Sequence, residues 1–171
     1  MANILVLYYS LTGNTETVAG SLASRLQADL EPLRDVKERS GWLSHLGMAW
    51  EVIFKAPAKI MPLSKAVADY DLVVLGAPVW AGDMASPMRR LLKTQGGAIK
   101  KLAVFCTEQG AGGEGALKKM AALCGKPAIA ELIVLEKEIK AGGWESKADA
   151  FVGAVGEAAG MGAGDSLRRV V

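Results

Sequence analysis

Apolar positions along the chain fall into short continuous runs that alternate with helical stripes. Residues Ile4 to Tyr9 form a nearly unbroken apolar run, the pattern of a parallel strand covered on both faces. Behind it, Val18, Leu22 and Leu26 recur every four residues beside Ala19 and Ala23, which predicts an amphipathic helix. A segment around Leu30 to Val36 reads as a second strand, and Pro32 confines it to an edge, where a missing N–H costs little. Asp71 to Gly76 is a clearer buried strand. The helix after it has a start signal in Ser86 as N-cap and Pro87 at the first helical position, with Met88, Leu91 and Leu92 as its inner face. The pattern repeats with a strand from Leu102 to Cys106, a glycine-rich loop, and a helix from about Glu114 to Cys124 that Gly125 and Pro127 bring to an end. A fifth strand, Ala130 to Leu135, precedes a last helix in which Ser146 and Asp149 resemble a capping box.

Strands alternating with helices predict an α/β chain with a parallel sheet and helices on both faces, and right-handed crossovers narrow this to a doubly wound arrangement. A length of 171 residues fits one domain spanning 1–171, with neither an internal repeat nor a linker to divide it. Two stretches stand apart. The connection from Lys37 to Lys65 carries Trp42, His45, Leu46, Trp50 and Phe54, the spacing of Leu46, Trp50 and Phe54 placing them on one helical face. Such a segment is either a helix packed on the sheet or a lid or dimer surface, since long connections are often functional. The tail 160–171, with Gly160, Gly162 and Gly164, is expected to be mobile.

Composition removes several classes of function. Hydrophobic residues make up 51% and charged residues 22% of the chain, the balance of a globular domain. No run is long and apolar enough to cross a bilayer, and the chain opens directly on a strand without a basic leader, so a cytoplasmic protein is expected. A net charge of +2 gives no basic face for nucleic acid. Cys106 and Cys124 lack CxxC spacing and a neighbouring His, so they read as small core residues and not as metal ligands or a redox pair.

Candidate chemistry lies in three loops. In an open α/β sheet, ligands bind outside the carboxyl ends of the strands, where the direction of winding reverses. The first loop, Ser10-Leu11-Thr12-Gly13-Asn14-Thr15, joins a buried strand to a helix N-terminus, where free N–H groups and a partial positive charge accept phosphate. Ser10, Thr12 and Thr15 bring hydroxyls, Asn14 an amide, and Gly13 lets the backbone turn tightly. The loop lacks the lysine and the glycine spacing of a triphosphate loop and the three spaced glycines of a dinucleotide site. It therefore suits one terminal phosphate. Capping of the helix is the plainer alternative, although three hydroxyls and an amide exceed what a cap needs.

The second loop, Gly76-Ala77-Pro78-Val79-Trp80-Ala81-Gly82-Asp83, offers the flat face of Trp80 to an aromatic ligand, unless that ring belongs to the core. The third, Thr107-Glu108-Gln109-Gly110-Ala111-Gly112-Gly113, has glycines that admit close backbone approach and polar groups at Thr107 and Gln109.

The run Leu7 to Thr15, with Ala19 following, resembles the phosphate-loop signature of the flavodoxin family. The resemblance extends over roughly Ile4 to Leu135 and implies a flavodoxin-like five-stranded parallel sheet in order 2-1-3-4-5. It implies FMN as cofactor. Ser10, Leu11, Thr12, Gly13, Asn14 and Thr15 would hold its phosphate. Pro78, Val79, Trp80, Ala81 and Gly82 would flank the flavin, and Thr107, Glu108, Gln109, Gly110 and Gly113 would embrace its other edge. In that family the peptide at the position of Gly82 meets the proton on flavin N5. The match departs from the flavodoxin carriers in two respects: no aromatic residue occurs between Cys106 and Trp144, and the chain is slightly basic where those carriers are strongly acidic.

Two functions remain open. One is a flavodoxin-like electron carrier serving a redox partner protein. The other is an enzyme similar to the NAD(P)H-dependent quinone or FMN reductases, using NAD(P)H and a small acceptor at an open flavin face, with a homodimer possible. In either case the flavin carries out the chemistry and no catalytic side chain is expected. Other occupants of this fold are set aside. A receiver domain needs an acidic pair where Tyr8 and Tyr9 stand, and a low-molecular-weight phosphatase needs a cysteine and an arginine that the first loop lacks.

Overall fold

The computed structural model describes residues 2–36 and 58–160. The helical face of Leu46, Trp50 and Phe54, with Trp42 and His45, lies outside the described residues, as does the tail beyond Gly160.

Among the described residues five parallel strands form the sheet: β1 (Ile4–Tyr8), β2 (Asp29–Pro32), β3 (Leu72–Trp80), β5 (Leu102–Glu108) and β6 (Glu131–Leu135). Their order is β2-β1-β3-β5-β6. This is the expected path 2-1-3-4-5 with one addition: a two-residue strand, β4 (Asp83–Met84), runs antiparallel to the end of β3. Around the sheet lie α1 (Asn14–Leu26), α2 (Ser86–Gln95), α3 (Gly113–Cys124), the short α4 (Glu136–Ala141) and α5 (Glu145–Ala158).

Period-two alternation along the strands divides the core into two layers. Leu5 and Leu7 of β1, Val73 and Leu75 of β3, and Leu102, Val104 and Cys106 of β5 face α2 and α3, meeting Met88, Leu91, Leu92, Leu117 and Met120. Ile4, Val6, Tyr8, Leu72, Val74, Ala103 and Phe105 face the other way, against Val18, Leu22 and Leu26 of α1 and Phe151, Val152 and Val155 of α5. Continuous apolar runs are thus a consequence of having helices on both faces. Cys106 and Cys124 are buried and unbonded to each other, and burial pushes their thiols up to about 12 and about 11. Among the described residues β2 pairs only with β1, which places Pro32 on the outer strand of the described sheet.

Several local features differ from the sequence reading. β3 continues four residues past Gly76 to Trp80, and β5 two past Cys106 to Glu108, so much of what reads as loop is strand. Ser86 is inside α2, whose N-cap is Ala85, because Pro87 is accepted one position later in the first turn. Ser146 and Asp149 form no capping box. α5 starts from Trp144, whose ring is buried in the α1–α5 layer, and Asp149 pairs with Arg25 of α1. A turn earlier, the unforeseen α4 begins where the Glu138 carboxylate accepts the Leu135 N–H at 2.9 Å.

Gly76, expected as the last residue of a strand and the first of a loop, lies within the strand and is a packing position. It pairs directly with Phe105 in the β3–β5 register, and a Cβ placed on it would lie 2.0 Å from the Phe105 ring. Both residues are in the middle of the sheet, where neighbours have little room to relax. We expect Gly76→Ala to lower stability by about 3 kcal/mol. Urea unfolding measures this, and the double variant with Phe105→Leu should recover part of the loss. An unchanged midpoint in the single variant would show that the ring is free to move.

Candidate functional site

The first, second and third loops leave the carboxyl ends of β1, β3 and β5, which are neighbours in the sheet. In the first, Gly13 holds φ 91 and is the N-cap of α1, with no side chain bonded to the free N–H groups of the first turn. The polar side chains of the loop are employed otherwise. Ser10 Oγ accepts the Gly13 N–H at 3.1 Å, which tightens the turn, and the Thr17 hydroxyl donates to the Gly13 carbonyl at 3.0 Å. Thr12 is exposed, Asn14 and Leu11 are half-buried, and Leu11 packs on the α2–α3 layer. The plain capping alternative thus finds no side chain in the capping position.

Thr15 is placed differently from Thr12. Its side chain is buried, and its Oγ1 lies 2.7 Å from Oγ1 of Thr107, also buried. The two hydroxyls tie the first loop to the end of β5. The residues were anticipated as separate ligand contacts, and the structure joins them to each other.

The second loop is a tight hairpin. Trp80 pairs with Asp83 across the two-residue turn Ala81-Gly82, and both turn residues have positive φ, 49 for Ala81 and 76 for Gly82. Such turns match the right-handed twist of the flanking strands. Pro78, Val79 and Trp80 are half-buried on the β3 extension, while Ala81 and Gly82 are exposed at the tip. Trp80 meets Tyr9 edge to face, with ring centroids 5.6 Å apart and planes at 86°, so the residue before the first loop fixes the ring of the second.

The third loop abuts the second. Gly112, with φ 106, approaches so closely that a Cβ on it would fall 2.7 Å from Cα of Gly82. Glu108 is buried, and its carboxylate accepts the Gly113 N–H at 2.7 Å, closing the N-terminus of α3. Gly113 itself is packed among Ile133, Cys106 and Glu108, whereas Gln109 and Gly110 remain exposed. Of the residues anticipated here, Thr107, Glu108 and Gly113 therefore shape the loop from within, and Gln109 and Gly110 face outward.

Sequence reading missed a buried charge cluster under the hairpin. Asp83 Oδ2 lies 2.8 Å from Nη2 of Arg89 on α2 and 2.9 Å from Nζ of Lys119 on α3. Its Oδ1 accepts the Met84 N–H at 2.8 Å. The Asp83 and Arg89 side chains are only 12% and 6% exposed. The Arg89 contact is an ion pair without hydrogen-bond alignment, and neither Nη1 nor Nη2 has a hydrogen-bond partner. Burial works to raise the Asp83 pKa. The Lys119 hydrogen bond, the Met84 N–H and the two cationic charges outweigh it, and the carboxyl sits below its ordinary range. One signal was available: Arg89 falls four residues after Ala85 and three before Leu92, on the apolar stripe of α2.

On the β2 side of the first loop, a cavity of 570 Å³ opens between Tyr8, Ser10, Glu16 and residues Pro32 to Val36. It borders that loop but not the hairpin. Here the Tyr8 hydroxyl donates to Glu16 at 3.0 Å; burial first, and then the Glu16 carboxylate, push it up to about 12. Among the described residues no three His, Cys, Asp or Glu side chains form a metal site, and no helix is long and apolar enough to cross a membrane.

No family model matches the chain. Solved structures do match it in fold. A flavoprotein in complex with FMN from Lactobacillus acidophilus NCFM superposes with a TM-score of 0.68 at 22% identity, covering 82% of this chain and 98% of that one. Flavodoxin 1 from Bacillus cereus, in its oxidised form, gives 0.56 at 18% identity over 91% and 98%. Two-electron reduced flavodoxin from Megasphaera elsdenii gives 0.57 at 19% identity over 89% and 98%. The protein has the flavodoxin-like α/β fold.

Two expectations follow from the hairpin. Ala81 holds a left-handed φ with nothing in its side chain to compensate, so Ala81→Gly should raise stability by about 0.5–1 kcal/mol in thermal or urea unfolding. A loss would place the strain elsewhere. Asp83→Asn removes the anion between two cations and should lower stability by about 3 kcal/mol at pH 7. Because the folded carboxyl titrates below its unfolded value of about 3.9, its contribution is complete above that pH and fades as pH falls through the folded pKa. The gap between variant and parent should therefore close in acid. A gap independent of pH would mean that the cost is one of packing.

Proposed function

We propose that this chain binds FMN and transfers electrons through the bound flavin as a flavodoxin-like redox protein. The observation that carries this reading is the N-terminus of α1. Its first-turn N–H groups have no side-chain cap, and they open onto Gly13 and the exposed Thr12 at the carboxyl edge of the sheet. Donors without a cation, arranged around one left-handed glycine, suit a single terminal phosphate.

The remaining residues fit a flat ring beside that phosphate. Trp80, steadied by Tyr9, offers an aromatic surface. The contact of Gly82 with Gly112 joins the second and third loops into one rim, with the exposed Ala81, Gly82, Gln109 and Gly110 along it. Thr15 and Thr107 hold the phosphate loop and the rim at a fixed distance. Bound there, FMN would supply the redox chemistry, and the protein supplies position, exclusion of water and a local field.

A second reading, an NAD(P)H-dependent quinone or FMN reductase, draws on one observation. The third loop exposes only Gln109, Gly110 and Ala111, so no aromatic ring from it would cover the outer face of a flavin. A nicotinamide or a quinone would have access there, as would a redox partner protein.

Purification with FMN followed by visible spectroscopy tests the main reading, since a colourless protein that takes up no flavin ends it. Thr12→Val should weaken FMN about tenfold or more and leave riboflavin affinity nearly unchanged, because only FMN carries the phosphate. Equal losses for both ligands would remove the first loop as the phosphate seat. For the carrier, anaerobic NADH or NADPH should leave the flavin oxidised while dithionite bleaches it. Rapid bleaching by either nucleotide would establish the reductase instead.

A further inference from the structure

The Arg89 guanidinium is buried under the hairpin and only partly neutralised. Its Nη2 faces Asp83 Oδ2 at 2.8 Å, but both terminal nitrogens lack hydrogen-bond partners. The same carboxylate oxygen also serves Lys119, and its other oxygen is committed to the Met84 N–H. One anion thus stands between two cations, leaving one net positive charge. The carboxylate of Glu108 does not cancel it, being directed to the Gly113 N–H at the positive end of α3.

Asp83 directly follows Gly82 and pairs with Trp80, so the cluster is one side chain away from the hairpin that would flank a flavin. Met84, Ala85 and Met88, close to Asp83 and Arg89 along the chain, are buried in the apolar layer on this side of the sheet. In such a medium a charge is weakly screened and its field reaches several ångströms.

We propose that Arg89, anchored by Asp83, sets the reduction potential of the bound flavin by favouring its more electron-rich reduced form. This rests on the reading that the chain binds FMN. Arg89 does not itself touch the ring. It acts through the field beneath the hairpin, with Asp83 as the counter-charge that fixes its place and Lys119 as a weaker, half-exposed contributor.

The test uses the FMN-loaded protein, with the potential measured by equilibration against reference dyes and the affinity for oxidised FMN measured separately. Arg89→Met should weaken reduced FMN about tenfold relative to oxidised FMN, which makes the two-electron potential about 30 mV more negative. Arg89→Lys keeps the charge and should restore the parental potential. Asp83→Asn removes the counter-charge and should move the potential in the opposite direction. A purely structural role would weaken both redox forms alike and leave their ratio unmoved. That result in Arg89→Met, or a negative shift in Asp83→Asn, overturns the proposal. If these variants do not fold, Lys119→Met, altering a side chain that is 53% exposed, is expected to shift the potential negatively at low salt. No shift there overturns the proposal as well. Failure of the parent protein to take up FMN would instead remove the functional reading beneath it.

Discussion

Burial of β1, β3 and β5 on both faces is the constraint from which the rest of the molecule follows. Strands covered on both sides have no polar face, so their side chains must be apolar at every position and their backbone groups must pair within the sheet. Two helical layers are then required, one against Leu5, Leu7 and Leu75 and one against Val6, Val74 and Phe105. Polar residues have only the strand ends to occupy. The hydroxyls, glycines and amides of the three loops accordingly lie together at the carboxyl edge, where connections from three neighbouring strands are brought side by side.

What was legible in the sequence is what this constraint writes directly into composition. The run Ile4 to Tyr9, the stripe Val18-Leu22-Leu26 and the stop at Gly125 all appear where they were expected, because each depends on a nearest-neighbour pattern or a backbone preference. The edge position of Pro32 follows from its missing donor. The first loop was legible for the same reason, since Gly13 both turns the chain and starts the helix.

The misread features depend on contacts between distant residues. Gly76 reads as the junction of a strand and a loop, yet what requires a glycine there is the ring of Phe105 on the adjacent strand. Ala81 gives no sign of its positive φ, which the hairpin geometry between Trp80 and Asp83 imposes. Ser146 and Asp149 have the spacing of a cap, but Arg25 on another helix takes the aspartate. Arg89 was the hardest to foresee. An arginine in an apolar stripe looks like a surface residue at the margin of a helix until Asp83 and Lys119 are brought beside it.

The meeting of Gly82 with Gly112 also limits how such a site can change. Gly112 cannot gain a side chain without pushing against Gly82 on a connection from a different strand, and both glycines hold a backbone conformation that other residues seldom adopt. Variation is therefore channelled to the exposed residues next to them, Ala81 on one side and Gln109 to Ala111 on the other. The junction works as a fixed hinge pin. Descendants of this sequence could exchange the exposed residues around it while the shape of the rim stayed the same.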